Sequence, residues 1–245
     1  MPRFRITVAY DGTEFVGWQR QASGVSIQGL LEEALAALEE GSVTVLGAGR
    51  TDAGVHALGQ VAAFTLTRSL EADVIVRALN VRLPLSVRIL EAAAVGEDFH
   101  PQFAAKSKTY RYRIWNADVI SPFERLYAWH VYGALDVAAM NEAARMLEGM
   151  HDFAAFQGTG SDVKTTERTI ASSLVVRNEQ VVTYDVTGDG FLRHMVRNIV
   201  GTLVEIGRGT RPSTDLKRIL DGRDRRLAGV TAPPQGLYLT QVLYP

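Results

Sequence analysis

The chain has 245 residues, 47% of them hydrophobic, and a formal net charge of −1 at pH 7. This length suffices for one large domain or two of ordinary size, and the balanced charge restricts any nucleic-acid binding to local basic patches. Because the chain has no cysteine, disulfides, thiolate nucleophiles and cysteine zinc sites are excluded, and a cytoplasmic location is the expectation.

The first hundred residues predict the order strand, helix, strand, strand, helix, strand. Residues 3–10 alternate apolar and polar side chains, as a half-buried strand does. Apolar residues then recur at helical spacing after Ser26, which is placed to cap a helix that ends at Gly41. Two strands flank a glycine-rich loop, and a helix over 71–80 and a strand over 86–95 follow. This order is that of the split βαβ, ferredoxin-like motif.

The second half of the chain repeats this order after an extra strand over 106–115. The predicted elements are a strand over 126–132, a helix from Asp136 to about 148, a hairpin of strands 169–177 and 180–187, a helix over 191–206 and a strand over 236–243. We therefore predict an α+β fold of two ferredoxin-like halves, residues 1–105 and 106–245. Their sheets are expected to merge into one central, mostly antiparallel sheet flanked by helices.

Residues 47–57 form the most informative segment, Gly-Ala-Gly-Arg-Thr-Asp-Ala-Gly-Val-His-Ala. Asp52 lies between Gly49 and Gly54, on backbone that bulkier residues could not follow, and is therefore expected to face a ligand. Arg50 would keep this carboxylate ionised, and such a carboxylate suits nucleophilic or general-base catalysis. A hairpin turn with a surface ion pair is the competing interpretation.

Residues 106–113 combine four cations and two tyrosines with no acidic residue. Alternation along a strand predicts two faces, with Lys108, Tyr110 and Tyr112 on one and Thr109, Arg111 and Arg113 on the other. Cations and aromatic rings together suit phosphates and unstacked bases. A further basic run over 217–226 is mixed with acids and is typical of a solvated face.

Arg197 stands in an otherwise apolar helical segment, residues 195–204. A guanidinium that points into the protein there needs an acidic partner. Asp52 is one candidate for this partner and Asp11 is another.

Five motifs together resemble the TruA family of tRNA pseudouridine synthases. They are residues 47–57, Tyr10-Asp11-Gly12-Thr13 with Phe15, Gly17-Trp18-Gln19, Lys108-Thr109-Tyr110-Arg111-Tyr112 and Met195-Val196-Arg197-Asn198-Ile199-Val200-Gly201. The resemblance implies a cytoplasmic homodimer that isomerises uridine to pseudouridine at positions 38, 39 and 40 of the tRNA anticodon arm. It implies neither a cofactor nor a metal.

The same resemblance implies roles for individual residues. Asp52 matches the catalytic aspartate, Arg197 the arginine that pairs with it, and Tyr110 the tyrosine that lies against the uracil ring. Arg50 matches the loop arginine, which could fill part of the gap left by a flipped-out nucleotide. Trp18 and Gln19 are further candidates for contact with RNA. His56 is interpreted as a turn residue that donates to the backbone.

Three other functions compete with this one. A non-catalytic RNA-binding protein would share the basic strand but would not need Asp52 paired with Arg197. A nucleotide enzyme with a phosphate cradle at 47–54 fits poorly, because no Gly-Lys-Ser/Thr follows and Asp52 would repel phosphate. A hydrolase that uses Asp52 with His56 lacks a third, orienting group.

Overall fold

The computed structural model describes residues 1–39, 41–160 and 163–245. The chain divides into two compact units: Met1–Lys106 with Tyr238–Pro245, hereafter the first unit, and Ser107–Leu237, the second unit. No helix among the described residues is both long and apolar enough to cross a membrane. The division into halves 1–105 and 106–245 stays a prediction.

Ten strands and five α-helices occur in the described part of the chain. The strands are β1 (Arg3–Tyr10), β2 (Leu46–Gly47), β3 (His56–Thr65), β4 (Val87–Val95), β5 (Ser107–Trp115), β6 (Trp129–His130), β7 (Gly149–Asp152), β8 (Glu167–Asn178), β9 (Val181–Gly188) and β10 (Leu237–Leu243). The helices are α1 (Ile27–Glu39), α2 (Ala72–Arg82), α3 (Val137–Arg145), α4 (Met195–Gly207) and α5 (Asp215–Gly222).

In the first unit, β1 lies between β3 and β4 and pairs antiparallel with both. The short β2 also pairs antiparallel with β3, whereas β10 pairs with β3 in parallel through Tyr238 and Leu239. Alternate side chains of β1 are buried, as the sequence pattern predicts. The buried side chains of this unit include Phe4, Ile6, Val8, Leu31, Leu35, Ile75 and Leu79. Burial of each contributes about 1.5–3 kcal/mol to the hydrophobic stabilisation of the unit.

In the second unit, the strands β5, β9, β8 and β7 pair antiparallel in that order. The helix α4 is buried over most of its length, and two tyrosines, Tyr112 and Tyr184, are fully buried. The α+β class and the mostly antiparallel pairing are thus confirmed.

Some predicted boundaries in the second unit are wrong. The strand expected over 126–132 is reduced to Trp129–His130, because the amides of Tyr127 and Ala128 turn back to the carbonyl of Glu124. The helix expected from residue 191 begins at Met195, because His194 has the left-handed φ of +59° and interrupts it. The strand β7 and the helix α5 have no counterpart in the prediction.

Candidate active site

Asp52 lies in the loop between β2 and β3 of the first unit, and it is half-buried. A neighbouring segment runs antiparallel to this loop, with a β-bridge between Gly17 and Asp52. The amide of Trp18 donates to the carbonyl of Thr51 at 3.0 Å, and the amide of Val55 donates to the carbonyl of Asp52 at 3.1 Å. The backbone on both sides of Asp52 is therefore fixed by hydrogen bonds.

Two glycines permit this backbone path. Gly54 has a φ of +76°, in the left-handed region that residues with a Cβ rarely adopt. Gly17 has a φ of +106°, and a Cβ on it would lie only 2.5 Å from the carbonyl oxygen of Thr51. The sequence predicted the need for Gly54, but it did not indicate that Gly17 lets the neighbouring segment approach.

A buried polar network supports the residues that precede Asp52. The hydroxyls of Tyr10 and Thr51 share a hydrogen bond of 2.8 Å, and Gln60 Nε2 donates to the carbonyl of Gly49 at 3.0 Å. Gln60 is completely buried. Burial raises the pKa of Tyr10 to about 12, and its hydrogen bonds with Thr51 and Gln60 offset part of that rise. The hydroxyl of Tyr10 is therefore a permanently neutral partner of the loop near pH 7.

The supporting role of Tyr10 and Gln60 was not predicted from the sequence. A signal existed for Gln60, since it is a polar residue in the apolar run that forms β3.

Trp18 also differs from its predicted role. It is only 2% exposed, and its indole packs where a Cβ on Gly47 would be 2.6 Å away, so it supports the loop and is not displayed to a ligand.

Arg50 is exposed and forms no ion pair with any residue that the structure describes. The surface ion pair of the competing interpretation is therefore not formed by Arg50, which faces solvent. That Arg50 keeps the carboxylate of Asp52 ionised stays a prediction. The proposed role of Arg50 at a vacated nucleotide position does not depend on that ion pair.

His56 is 2% exposed and stacks on Tyr238, with ring centroids 4.7 Å apart. Its Nδ1 accepts a hydrogen bond from the amide of Gly12 at 3.0 Å. Asp11 Oδ1 is 3.2 Å from the same Nδ1. A nitrogen that accepts from an amide carries no proton, so this contact is no ion pair while the ring is neutral. These contacts give His56 a structural role and weaken the hydrolase interpretation.

In the second unit, Tyr110 lies on β5 and is 7% exposed. Its ring meets that of Phe191 edge to face, with centroids 5.0 Å apart. The predicted alternation of β5 is confirmed, because Tyr110 and Tyr112 are buried while Arg111 between them is exposed. The basic strand has acidic partners that its own sequence lacks. Arg111 binds both carboxylate oxygens of Asp185, at 2.7 and 3.0 Å, and Arg113 pairs with Glu124 at 2.9 Å.

Arg197 lies in the first turn of α4 and is half-buried. Its Nε donates to the carbonyl of Ala232 at 2.7 Å, and the amide of Ala232 donates back to the carbonyl of Arg197 at 3.1 Å. The charge of Arg197 also acts on the hydroxyl of Tyr112, lowering a pKa that burial raises strongly. The guanidinium is thus oriented by a backbone carbonyl and lies near the buried Tyr112.

The segment that holds Arg197 is anchored by a polar group that the sequence did not single out. Asn198 is completely buried, and its Nδ2 donates to the carbonyl of Phe156 at 2.8 Å. Its Oδ1 accepts from Thr231 Oγ1 at 2.6 Å. A Cβ on Gly201 would lie 1.7 Å from the carbonyl oxygen of Val230, so only glycine allows this close packing.

The predicted site residues are therefore distributed over both units, with Asp52 and Arg50 in the first and Tyr110 and Arg197 in the second. The pairing of Asp52 with Arg197 stays a prediction. Among the described residues, no group of three or more histidine, aspartate and glutamate side chains is arranged to hold a metal ion.

The α+β fold, the fixed loop around Asp52 and the aromatic strand agree with a known class of RNA-modifying isomerases. A family model described as tRNA pseudouridine synthase matches residues 6–104 and 143–245. The chain belongs to this family.

Individual relatives carry a more particular description. A protein of Syntrophotalea carbinolica is 46% identical over 98% of this chain and 95% of its own length, and one of Myxococcus xanthus is 46% identical over 100% and 92%. A third, from Methylacidiphilum infernorum, is 47% identical over 99% and 95%. Each of these three is named tRNA pseudouridine synthase A.

Proposed function

We propose that this protein isomerises uridine to pseudouridine in tRNA, with Asp52 as the catalytic carboxylate. The observation that carries the proposal is the loop of Asp52, whose backbone is fixed from both sides by Tyr10, Gln60 and the segment at Gly17. Positioning of this kind is what a carboxylate needs to act on a bound sugar or base. Membership of the family supplies the substrate and the reaction class.

The reaction breaks the bond between N1 of uracil and C1′ of the ribose and forms a bond between C5 and the same C1′. The proton on C5 is lost and N1 gains one, so the product has the composition of the substrate. Asp52 acts either as a nucleophile or by removing a proton from the sugar. Because the base is detached in between, the protein must retain it while it turns.

The other site residues divide the remaining tasks. Arg197 orients the carboxylate of Asp52 through a charge-assisted hydrogen bond. Tyr110 lies against the uracil ring and limits its escape. Since a stacked nucleotide is out of reach of a loop carboxylate, the target flips out of the stem, and Arg50 fills part of the space that it leaves.

The finer features of the proposal are the target and the assembly. The expected targets are positions 38, 39 and 40 of the anticodon arm, the expected assembly is a homodimer, and the expected compartment is the cytoplasm. Two chains that together form a basic cleft would explain how one enzyme serves several adjacent uridines. The support is the similarity of the motifs to the TruA family, together with the identity to relatives named tRNA pseudouridine synthase A.

Release of a proton from C5 tests the reaction class. The protein is incubated with unmodified tRNA that carries tritium at C5 of its uridines, and the label in water is measured. The proposal predicts that the label released per tRNA equals the number of target uridines, and that pseudouridine is recovered after digestion to nucleosides. Binding of the tRNA without release of label would contradict it and favour a non-catalytic RNA-binding protein.

A further inference from the structure

One end of the sheet in the second unit brings together two cations from different strands. Lys108, near the start of β5, pairs with Gly188 at the end of β9, and Gly188 also pairs with Ile170 of β8. A Cβ on Gly188 would lie 2.8 Å from Ile170 Cδ1, so these residues share a face of the sheet. Arg168, two residues before Ile170, lies on the same face because side chains alternate along a strand.

Two glycines lie beside these cations. Gly188 is paired with Lys108, and a Cβ on Gly190 would lie 3.2 Å from Arg168 Nε. Because neither glycine has a side chain, nothing attached at positions 188 and 190 separates the two cations from a ligand with several acceptor oxygens.

The charges of Lys108 and Arg168 favour a negatively charged ligand. Burial lowers the pKa of Lys108, the nearby charge of Arg168 lowers it further, and Asp189 acts in the opposite direction. The ammonium group of Lys108 makes no hydrogen bond or ion pair with any residue in the described ranges 1–39, 41–160 and 163–245. Within the same ranges Arg168 donates to the backbone carbonyl of Thr165 at 3.0 Å but binds no carboxylate. Among the described residues Asp189 forms no ion pair with either cation, so it offsets the repulsion between them only in part.

The other cations of β5 differ from Lys108 in this respect. Arg111 and Arg113 lie on the opposite face, and each already binds a carboxylate. Tyr110, in contrast, lies on the same face as Lys108 and two residues further along, a separation of about 6.8 Å. That separation is within the length of one nucleotide.

We propose that Lys108 and Arg168 together bind a phosphodiester group of the RNA backbone, next to the nucleotide whose base lies against Tyr110. The subsite rests on the proposed function, since it assumes that RNA is the ligand of this face. Arg168 offers a planar fork for two phosphate oxygens, and Lys108 adds a compact charge. The subsite contacts backbone and carries no sequence preference, so it fixes the position of the target nucleotide.

The test compares Lys108→Met and Arg168→Met with Arg111→Met, which removes an equal charge from the opposite face of β5. Binding of unmodified tRNA is measured at several salt concentrations, and circular dichroism checks that each variant is folded. For Lys108→Met and Arg168→Met we expect binding about tenfold weaker at moderate salt, and a slope of log K against log salt smaller by about 0.7–0.9. The slope of Arg111→Met should equal that of the original protein.

The double variant Lys108→Met with Arg168→Met tests whether both cations bind the same phosphate. It should lose little more affinity than either single variant, because the second change removes a contact that the first has already weakened. Slopes unchanged in either single variant, equal losses for Arg111→Met, or additive losses in the double variant would overturn the proposal.

These results are separable from the test of the proposed function. Failure of tritium release with the slope changes intact would reject the isomerase while the phosphate subsite stands. Normal tritium release with unchanged slopes would reject the subsite alone.

Discussion

Asp52 is positioned through the residues that surround it in the chain. Tyr10 supports Thr51 through a hydroxyl pair, and Gln60 supports Gly49 through a carbonyl. Both supporting side chains are buried, so they do not titrate or exchange with water near neutral pH. A change at either one should therefore alter catalysis without altering the affinity for tRNA.

Replacement of Tyr10 by phenylalanine keeps the ring and removes only the hydroxyl. Because Thr51 then loses its buried partner, we expect about 1 kcal/mol less stability against urea and a several-fold lower kcat with little change in KM. Tyr132→Phe, at a position 68% exposed, is the matched control and should change neither quantity. An unchanged kcat in Tyr10→Phe would show that the loop does not depend on this hydrogen bond.

The sequence could not show which residues, distant along the chain, contact each of the predicted site residues. The acidic partner of Arg111 is Asp185, and the acceptor for Arg197 Nε is the backbone of Ala232. The residues next to an arginine in the sequence do not predict whether it binds a carboxylate on a neighbouring strand or a carbonyl in a distant loop. The residue types at 50, 52, 110 and 197 could be selected from motifs, but their surroundings could not.

Among the elements of the second unit, α4 is the one on which the predicted role of Arg197 depends. It presents Arg197 in its first turn, and it packs against the segment 229–232 through Gly201 and the buried Asn198. The predicted helix was correct in its existence and its C-terminal end. Its start was wrong because the left-handed backbone of His194 follows from tertiary contacts, such as the hydrogen bond from the amide of Gly158 to the carbonyl of Arg193.

Periodicity explains which elements were predictable. Strands such as β1, with strict alternation, and helices such as α1, with a long apolar stripe, agree closely with expectation. The two-residue β6 is too short to have a period, and its neighbours turn instead. The helix α5 was hidden because its charged residues, paired at helical spacing as Lys217 with Asp221, were interpreted as a solvated face.

Substitution of Gly201 by alanine tests the packing of α4. The added Cβ would overlap the carbonyl of Val230, so either the helix or the segment 229–232 must shift. We expect a loss of about 1–3 kcal/mol in the free energy of unfolding, measured with urea, and a fall in activity beyond what the unfolded fraction explains. Gly41→Ala, whose Cβ would be 4.0 Å from the nearest atom, is the control. Equal effects of both changes would show that close packing at Gly201 does not matter.

At the scale of the whole molecule, buried tyrosines determine how the protein responds to alkali. Burial raises the pKa of Tyr10 to about 12, and it raises the pKa values of Tyr112, Tyr184 and Tyr244 still further. In the unfolded chain these groups ionise near pH 10. The folded state therefore retains protons that the unfolded state has lost, and the linkage favours unfolding as the pH rises.

Stability should consequently be independent of these tyrosines below pH 10 and fall above it. Tyr10, Tyr112 and Tyr184 each contribute a decrease of about 1.4 kcal/mol per pH unit until the folded-state pKa is reached. The half-buried Tyr244 contributes less, because solvent screens its charge. Urea midpoints measured from pH 8 to 11.5, with tyrosinate absorbance recorded in parallel, check this. If all tyrosines ionised near pH 10 while the protein remained folded, the expected dependence of stability on pH would be wrong.

If the carboxylate of Asp52 carries out the isomerisation, its neutralisation must abolish the reaction, and a single-turnover comparison of two neutralised aspartates measures this. Asp52→Asn and Asp73→Asn, the latter at an exposed position of α2, are each mixed in excess with tRNA labelled at C5. We predict tRNA binding by both variants, release of label by Asp73→Asn at the original rate, and none by Asp52→Asn. Release by Asp52→Asn at the original rate would show that this carboxylate does not carry out the reaction.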